Sequence, residues 1–264
     1  MNKKAQQLQA QITKLVRTLA EQTDAAAVSE QMTAWLKTCA RIHKYSVMNL
    51  WSILNMCPHA THVAGYRAWN KFNRYVKKGE KGIPILAPML YREDPDDENS
   101  PRVLKGFRVV FVFDVSQTNG EPLPEQPTWR SQERRLLLEQ SLVKFAQANG
   151  ITIEREQISN GAQGISKGGK IILDESAGTK VLIHEIAHEL LHKRDRSQSS
   201  QEREIEAEAV AYVVADHFGL EVQTSANYLA LWNAESDEIL SSLERIRQTV
   251  TEIILYLEKE QITQ

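Results

Sequence analysis

The stretch Val181-Leu182-Ile183-His184-Glu185-Ile186-Ala187-His188-Glu189-Leu190-Leu191-His192 leaves a chain few ways to fold. Its apolar positions predict a buried helix over residues 178–193. Side chains four apart share a helix face, so His184 and His188 point the same way. Polar residues on an otherwise apolar helix need partners. Two imidazoles at this spacing fill two of the four positions around a tetrahedral zinc ion. Glu185, beside the first histidine, is then placed to take a proton from the attacking water as general base. The fold has to bring a third ligand from another element against this helix.

The next acid-rich segment is Glu202-Arg203-Glu204-Ile205-Glu206-Ala207-Glu208-Ala209-Val210-Ala211-Tyr212, within a helix predicted over residues 202–219. Its small alanines allow close packing on the metal helix. Glu204 and Glu208 share a face and Glu206 points elsewhere. Glu204 is therefore the expected third ligand, with Glu206 as the alternative. Glu208 is the expected acceptor for a ligand histidine's free N–H, fixing its tautomer. The plain alternative is that all four glutamates solvate a surface helix. His192 lies two turns beyond His184, about 12 Å along the axis, too far for one ion to hold both. The glycine bend and later histidine of the metzincin pattern are absent, so His192 reads as a helix-end packing residue.

Charge divides the chain. From Arg41 to Arg92 there are nine Lys/Arg against one acid, Glu80, whereas from Leu136 onward 12 basic residues face 21 acidic ones. That asymmetry points to two modules, the first with an anionic partner. Cations there alternate with aromatics: Arg41, Lys44, Tyr45, Trp51, Tyr66, Arg67, Trp69, Lys71, Phe72, Arg74, Tyr75, Lys77, Lys78 and Lys81. Cations can track a phosphate backbone while rings stack on unpaired bases, which suits single-stranded nucleic acid. Against this, Tyr66 and Trp69 at helical spacing also fit a core.

Apolar periodicity predicts helices over 5–22 and 28–57, the second stopped by Pro58, and a short third helix over 65–76. A turn at 77–82 leads into strands at 83–91 and 103–115, which form a hairpin across the acidic loop 93–101. The segment 117–130, with Pro122, Pro124 and Pro127, is the expected linker between domains 1–120 and 131–264. Beyond it come a helix at 131–149, strands at 151–157 and 169–174, and helices at 225–234 and 237–260. The fold class is α+β: a small helical domain with a β-hairpin sheet, then a mostly helical domain with a small antiparallel sheet. Cys39 and Cys57 read as reduced thiols in apolar helices, and no window is apolar enough to span a membrane. The expectation is a cytoplasmic protein.

Two sets of residues together resemble a known family. Tyr45-Ser46, Asn49, Gly65-Tyr66, Trp69, the run from Val76-Lys77-Lys78-Gly79-Glu80-Lys81-Gly82 to Pro88, and the stretch Phe111 to Thr118 are similar to the N-terminal domain of ArdC-type antirestriction proteins. His184 to His192, Glu204 to Ala211, and Ser225, Tyr228, Leu229 and Trp232 are similar to that family's zincin-like metallopeptidase domain. The resemblance implies a mobile-element protein that shields incoming DNA from restriction, with single-stranded DNA as partner. It implies a Zn2+ site, or another divalent ion such as Mn2+, at His184, His188 and Glu204, with Glu185 as catalytic base acting on a protein or peptide substrate. It also implies DNA contacts by Tyr45, Asn49, Trp69, Lys77, Lys78 and Lys81, to which Arg74 is added from the cation–aromatic pattern. Substrate is expected to add as a strand beside residues 171–173. Two rival functions stay open: a DNA-coating protein whose metal site is structural or vestigial, and a regulatory protease cleaving a repressor.

Overall fold

The computed structural model describes residues 3–21, 25–94, 96, 97, 99–123, 132–159, 161–192, 199–221 and 236–262. Four-residue apolar spacing builds the first helix, α1 (Lys3–Ala20), which buries Ala5, Leu8, Ile12 and Val16. In α2 (Ala25–Ile42), Met32, Trp35, Leu36 and Cys39 do the same. The single helix expected over 28–57 is two. The chain turns after Ile42 and restarts as α3 (Val47–Met56), where the Ser46 side chain accepts from the Asn49 N–H as an N-cap. Cys39 and Cys57 are both free thiols.

The helix expected over 65–76 is also shorter. Strand β1 (Val63–Gly65) runs into α4 (Tyr66–Asn70), which stops where Asn73 takes a left-handed φ of 53°. Residues Arg74–Val76 leave as β2 and pair antiparallel with β5 (Thr118–Gly120), a partner far along the chain. The predicted hairpin is present as β3 (Ile83–Arg92) and β4 (Arg102–Asp114), with an irregularity between Met89 and Leu90. The sheet order is β1–β4–β3, so β3 is an edge strand. α3 covers that edge: Asn49 Nδ2 donates to the Leu86 carbonyl (3.0 Å), Asn49 Oδ1 accepts from the Leu86 N–H (2.8 Å), and Ser52 Oγ donates to the Pro84 carbonyl (2.6 Å).

In the second half, α5 (Gln132–Ala148) precedes a three-stranded sheet of β6 (Thr152–Arg155), β7 (Gly164–Ser166) and β8 (Lys170–Leu173). Its order is β6–β8–β7, with β6 parallel and β7 antiparallel to β8. The expected antiparallel pairing thus holds on one edge of β8 only. Strand β8 is central, so residues 171–173 have no free edge for a substrate strand; β7 has one. Among the described residues three long helices follow: α6 (Thr179–His192), α7 (Ser200–His217) and α8 (Ser236–Ile262). Ser199 and Glu202 cap the start of α7 reciprocally.

Nearly all the buried apolar side chains of the described residues form one continuous cluster through both halves, with α2 packed on α7 and α8 reaching α1 and α3. Residues 124–130 of the expected linker and the helix expected at 225–234, with Ser225, Tyr228, Leu229 and Trp232, lie outside the described residues. Among the described residues, no helix is long and apolar enough to cross a membrane.

Candidate metal centre

Alanines at 207, 209, 211 and 215, all fully buried, let α7 lie close against α6. That approach sets Glu204 of α7 facing the two histidines of α6. His184 Nε2 lies 3.0 Å from His188 Nε2; Glu204 Oε2 is 3.3 Å from the first and Glu204 Oε1 is 3.4 Å from the second. Four bonds of about 2.0–2.1 Å in a tetrahedron put neighbouring ligand atoms about 3.3 Å apart. The three separations match that spacing, so this donor set fits a small divalent ion. Among the described residues it is the one cluster of its kind.

The surroundings orient the ligands. Glu208 Oε2 lies 3.6 Å from His184 Nδ1, while its Oε1 accepts from Lys180 Nζ at 2.6 Å. Burial disfavours a charge on His184, but the carboxylates of Glu208, Glu185 and Glu204 outweigh it and raise its pKa. The same contacts lower Glu208 against the opposing effect of burial. His188 is pushed down to about 4 by burial and by the charge on His184, so it is neutral, the form that ligates.

Glu185 is buried against β7. Burial raises its pKa, as do Glu204 and Glu189, while His184 and the Ser166 N–H pull it back. Gly164 makes room for it: a Cβ there would sit 2.6 Å from Glu185 Oε1. Glu189, one turn further along α6, is buried and accepts from Ser166 Oγ (2.5 Å), the Gly168 N–H (2.7 Å) and the Gly169 N–H (2.5 Å). It fastens the β7–β8 turn to the metal helix and so places β7 beside the histidines. Sequence reasoning passed over both Gly164 and Glu189. Their only signal was an acid on the apolar face of α6 and the Gly168-Gly169 pair, twenty residues away. Together these groups wall a cleft of ≈ 760 Å³ that includes Ile165, His192 and Arg203.

His192 is buried at the end of α6, and its Nε2–H donates to the Arg203 carbonyl (3.2 Å). Glu206, the alternative third ligand, is 1% exposed and faces α8.

The proposed DNA residues divide by exposure. Asn49 and Trp69 lie in the interior, Asn49 on the β3 edge and Trp69 with its Nε1–H on the Phe113 carbonyl (3.0 Å). Their polar atoms are committed, which makes them parts of the scaffold and not of a base-binding surface. Tyr45 is half-buried, its hydroxyl donating to the Val63 carbonyl (2.9 Å). Arg74 spends its guanidinium on Thr118 and on the Gly120 and Glu121 carbonyls, tying β2 to β5. Lys77 Nζ donates to the Ser116 carbonyl (2.7 Å), whereas Lys78 and Lys81 are exposed. Beside that turn lies a patch that joins Tyr66 to a ring outside the cation–aromatic pattern, Phe111. Phe111, 58% exposed, lies over Gly82, where an added Cβ would come within 2.8 Å of Phe111 Cβ and 3.1 Å of the Phe113 ring. Tyr66, 56% exposed, stands edge-on to Phe113 with centroids 6.2 Å apart.

Residues 2–122 match the model of the N-terminal domain of anti-restriction factor ArdC. An uncharacterised protein of Bacillus anthracis is 24% identical over 286 residues, covering 88% of this chain and 48% of that protein. The chain therefore spans about half the length of that relative. The Mn(II)-bound crystal structure of antirestriction ArdC protein from R388 plasmid has a TM-score of 0.52 and 16% identity, over 96% of this chain and 97% of that one. The metal-free structure of the same protein, at a TM-score of 0.49, covers 81% and 86%. Residues 2–122 are thus similar to the N-terminal domain of ArdC-type antirestriction proteins, and the chain shares the ArdC fold along nearly its whole length.

Proposed function

We propose that this chain is an antirestriction protein that binds single-stranded DNA through residues 1–120 and hydrolyses peptide bonds at a zinc site carried by residues 131–264. The observation that carries the enzymatic part is the meeting of His184, His188 and Glu204 at ligand spacing, with the carboxylate of Glu185 buried beside them. A divalent ion held there supplies Lewis-acid polarisation of a carbonyl and makes water a better acid. Mn(II) in the related ArdC structure supports a divalent occupant, and the two-imidazole, one-carboxylate set suits zinc.

The remaining chemistry belongs to the chain. A substrate strand pairs with the free edge of β7, which crosses the cleft directly over Glu185. Glu185 takes the proton of the attacking water and passes it to the departing amine. The raised pKa keeps the carboxylate basic enough for the first transfer and its conjugate acid available for the second. Glu189 keeps the edge strand from drifting, and the Ser166 N–H holds the base toward it.

The DNA reading rests on the exposed rings of Tyr66 and Phe111 and on the exposed Lys78 and Lys81 of the turn that leads into β3, rings for stacking and cations for phosphates. Hydrolysis is tested with the Glu185→Gln variant, which keeps the ligands and removes the base. Metal content stays at one ion per chain and peptide cleavage falls by at least 10²-fold; unchanged cleavage overturns the assignment. Measured in a restriction challenge, the same variant separates proteolysis from simple DNA coating: protection that survives assigns antirestriction to the N-terminal half alone.

A further inference from the structure

Helix α7 carries glutamates at four alternate positions, of which Glu202 caps its start. Two face the cleft; Glu206 does not, because two residues along a helix turn a side chain by about 200°. Its carboxylate is among the most buried polar groups of the described residues. Oε1 accepts from Ser242 Oγ and from the Arg245 guanidinium, both at 2.5 Å and both on α8. Oε2 lies 3.9 Å from His192 Nε2, on α6, and has no hydrogen-bond partner of its own. One carboxylate thus touches the helix that bears both histidines and the helix that packs behind the third ligand.

The neighbours of Glu206 explain why such a contact is needed. From Ile205 to Ala215 every side chain but Glu208 is buried or belongs to this packed face, and Ala207, Ala209, Ala211 and Ala215 give it little relief. A helix apolar all round, with small side chains, has no strong preference for one rotation about its axis. Rotation matters here. A turn of about 20° moves a group at the helix's outer radius of about 5 Å by nearly 2 Å, whereas metal–ligand distances tolerate about 0.2 Å. Directional hydrogen bonds supply what apolar packing lacks.

We propose that Glu206 is a positioning residue: clamped by Ser242 and Arg245, it sets the rotation of α7 and thereby holds Glu204 against His184 and His188. The proposal rests on the metal-site reading above. It extends the site to α8, which contributes no ligand.

The test uses the full chain, stripped of metal and titrated with Co(II), whose visible spectrum reports ligand geometry. Glu206→Gln keeps the shape and loses the charge that Arg245 grips; it binds Co(II) about 10-fold more weakly, with an altered spectrum. Ser242→Ala, which removes one hydrogen bond, weakens binding about 2- to 5-fold. Ile246→Ala, a fully buried α8 residue outside the clamp, lowers the melting temperature and leaves Co(II) affinity and spectrum as in wild type. Wild-type Co(II) binding by Glu206→Gln overturns the proposal, as does equal weakening in Ile246→Ala at a matched loss of melting temperature. If Glu206→Gln does not fold, Ser242→Ala decides: weaker binding with a changed spectrum supports the clamp, and unchanged binding refutes it. Wild type that binds no Co(II) overturns the metal reading and this proposal together, whereas binding in wild type with no change in the variants overturns only the clamp.

Discussion

Replacing Gly164 by alanine isolates the position of Glu185, the proposed base, from everything else in the cleft. The added Cβ would stand 2.6 Å from Glu185 Oε1, 2.7 Å from its Cγ and 2.9 Å from its Cδ, where ordinary contact begins at 3.4 Å. The strand backbone does not yield first, since Glu189 and the β8 ladder hold it. The Glu185 carboxylate instead retreats by about 0.8 Å, and a misplacement of about 1 Å costs about 10²-fold in rate. Nothing else should change. Gly164 is not in the left-handed region, so alanine fits the backbone, and its smaller unfolded-state entropy offsets the displaced side chain to within about 1 kcal/mol. His184, His188 and Glu204 keep their places. The assay is cleavage of a mixed peptide library read by mass spectrometry, with metal content and melting temperature measured on the same samples. Gly164→Ala should be metal-loaded, as stable as wild type and about 10²-fold slower. A variant that keeps its metal and cleaves at the wild-type rate refutes the placement of Glu185 as base.

Three further outcomes follow from the same structure. Phe111→Ala weakens single-stranded DNA binding by about 1–3 kcal/mol for each base it stacks, and Lys78→Ala reduces the slope of log affinity against log salt by about 0.7; filter binding across a salt series shows whether either residue belongs to the surface. Asn49→Leu leaves the Leu86 N–H and carbonyl without partners at the buried β3 edge, costing about 1–3 kcal/mol in denaturant unfolding while metal content is unchanged. Burial alone would raise the Asp114 pKa, but hydrogen bonds from Ser116, Thr61 and His62 outweigh it and hold it below 3.8. A carboxylate lowered on folding stabilises above its unfolded pKa, and that contribution disappears as pH falls through the folded one. Acid unfolding followed below pH 3.8 should therefore begin at higher pH in Asp114→Asn, which lacks this stabilisation at every pH.

Periodicity revealed the elements whose cause is local. The alternation of Phe107, Val109, Phe111 and Phe113 fixed a hairpin that the structure contains as β3 and β4, and the apolar run around His184 fixed α6 nearly to its ends. The misreadings share a different cause. The helix expected over 28–57 ran through Ser46, whose N-cap role appears only once α3 turns to cover the β3 edge. Tyr75 and Val76 continued the spacing of α4, but pairing with Thr118 and Asn119 drew them into a strand. β7, with three residues and one large apolar side chain, carries no period at all. In each case a partner distant in sequence outweighed a local preference worth a fraction of a kcal/mol per residue.

The site was legible to the same depth. Four-residue spacing sufficed for His184 and His188, because a single helix determines their relation. Choosing between Glu204 and Glu206 needed the rotation of a second helix, and α7 is apolar on so many sides that its own pattern hardly constrains it. Two contacts outside the motif bear on it: the Arg203 carbonyl on His192 holds the start of α7 against α6, and Ser242 and Arg245 draw Glu206 toward α8. The wall of the cleft is equally remote from the motif, since Glu189 meets Ser166, Gly168 and Gly169 some twenty residues upstream. A two-histidine motif thus specifies which atoms can ligate, while residues outside the ligand set decide whether they arrive at bonding distance. By that reasoning, a related chain that keeps both histidines and Glu204 but has lost the acid at 206 or the base at 245 should show weakened metal binding, and metal content measured on such a chain checks it directly.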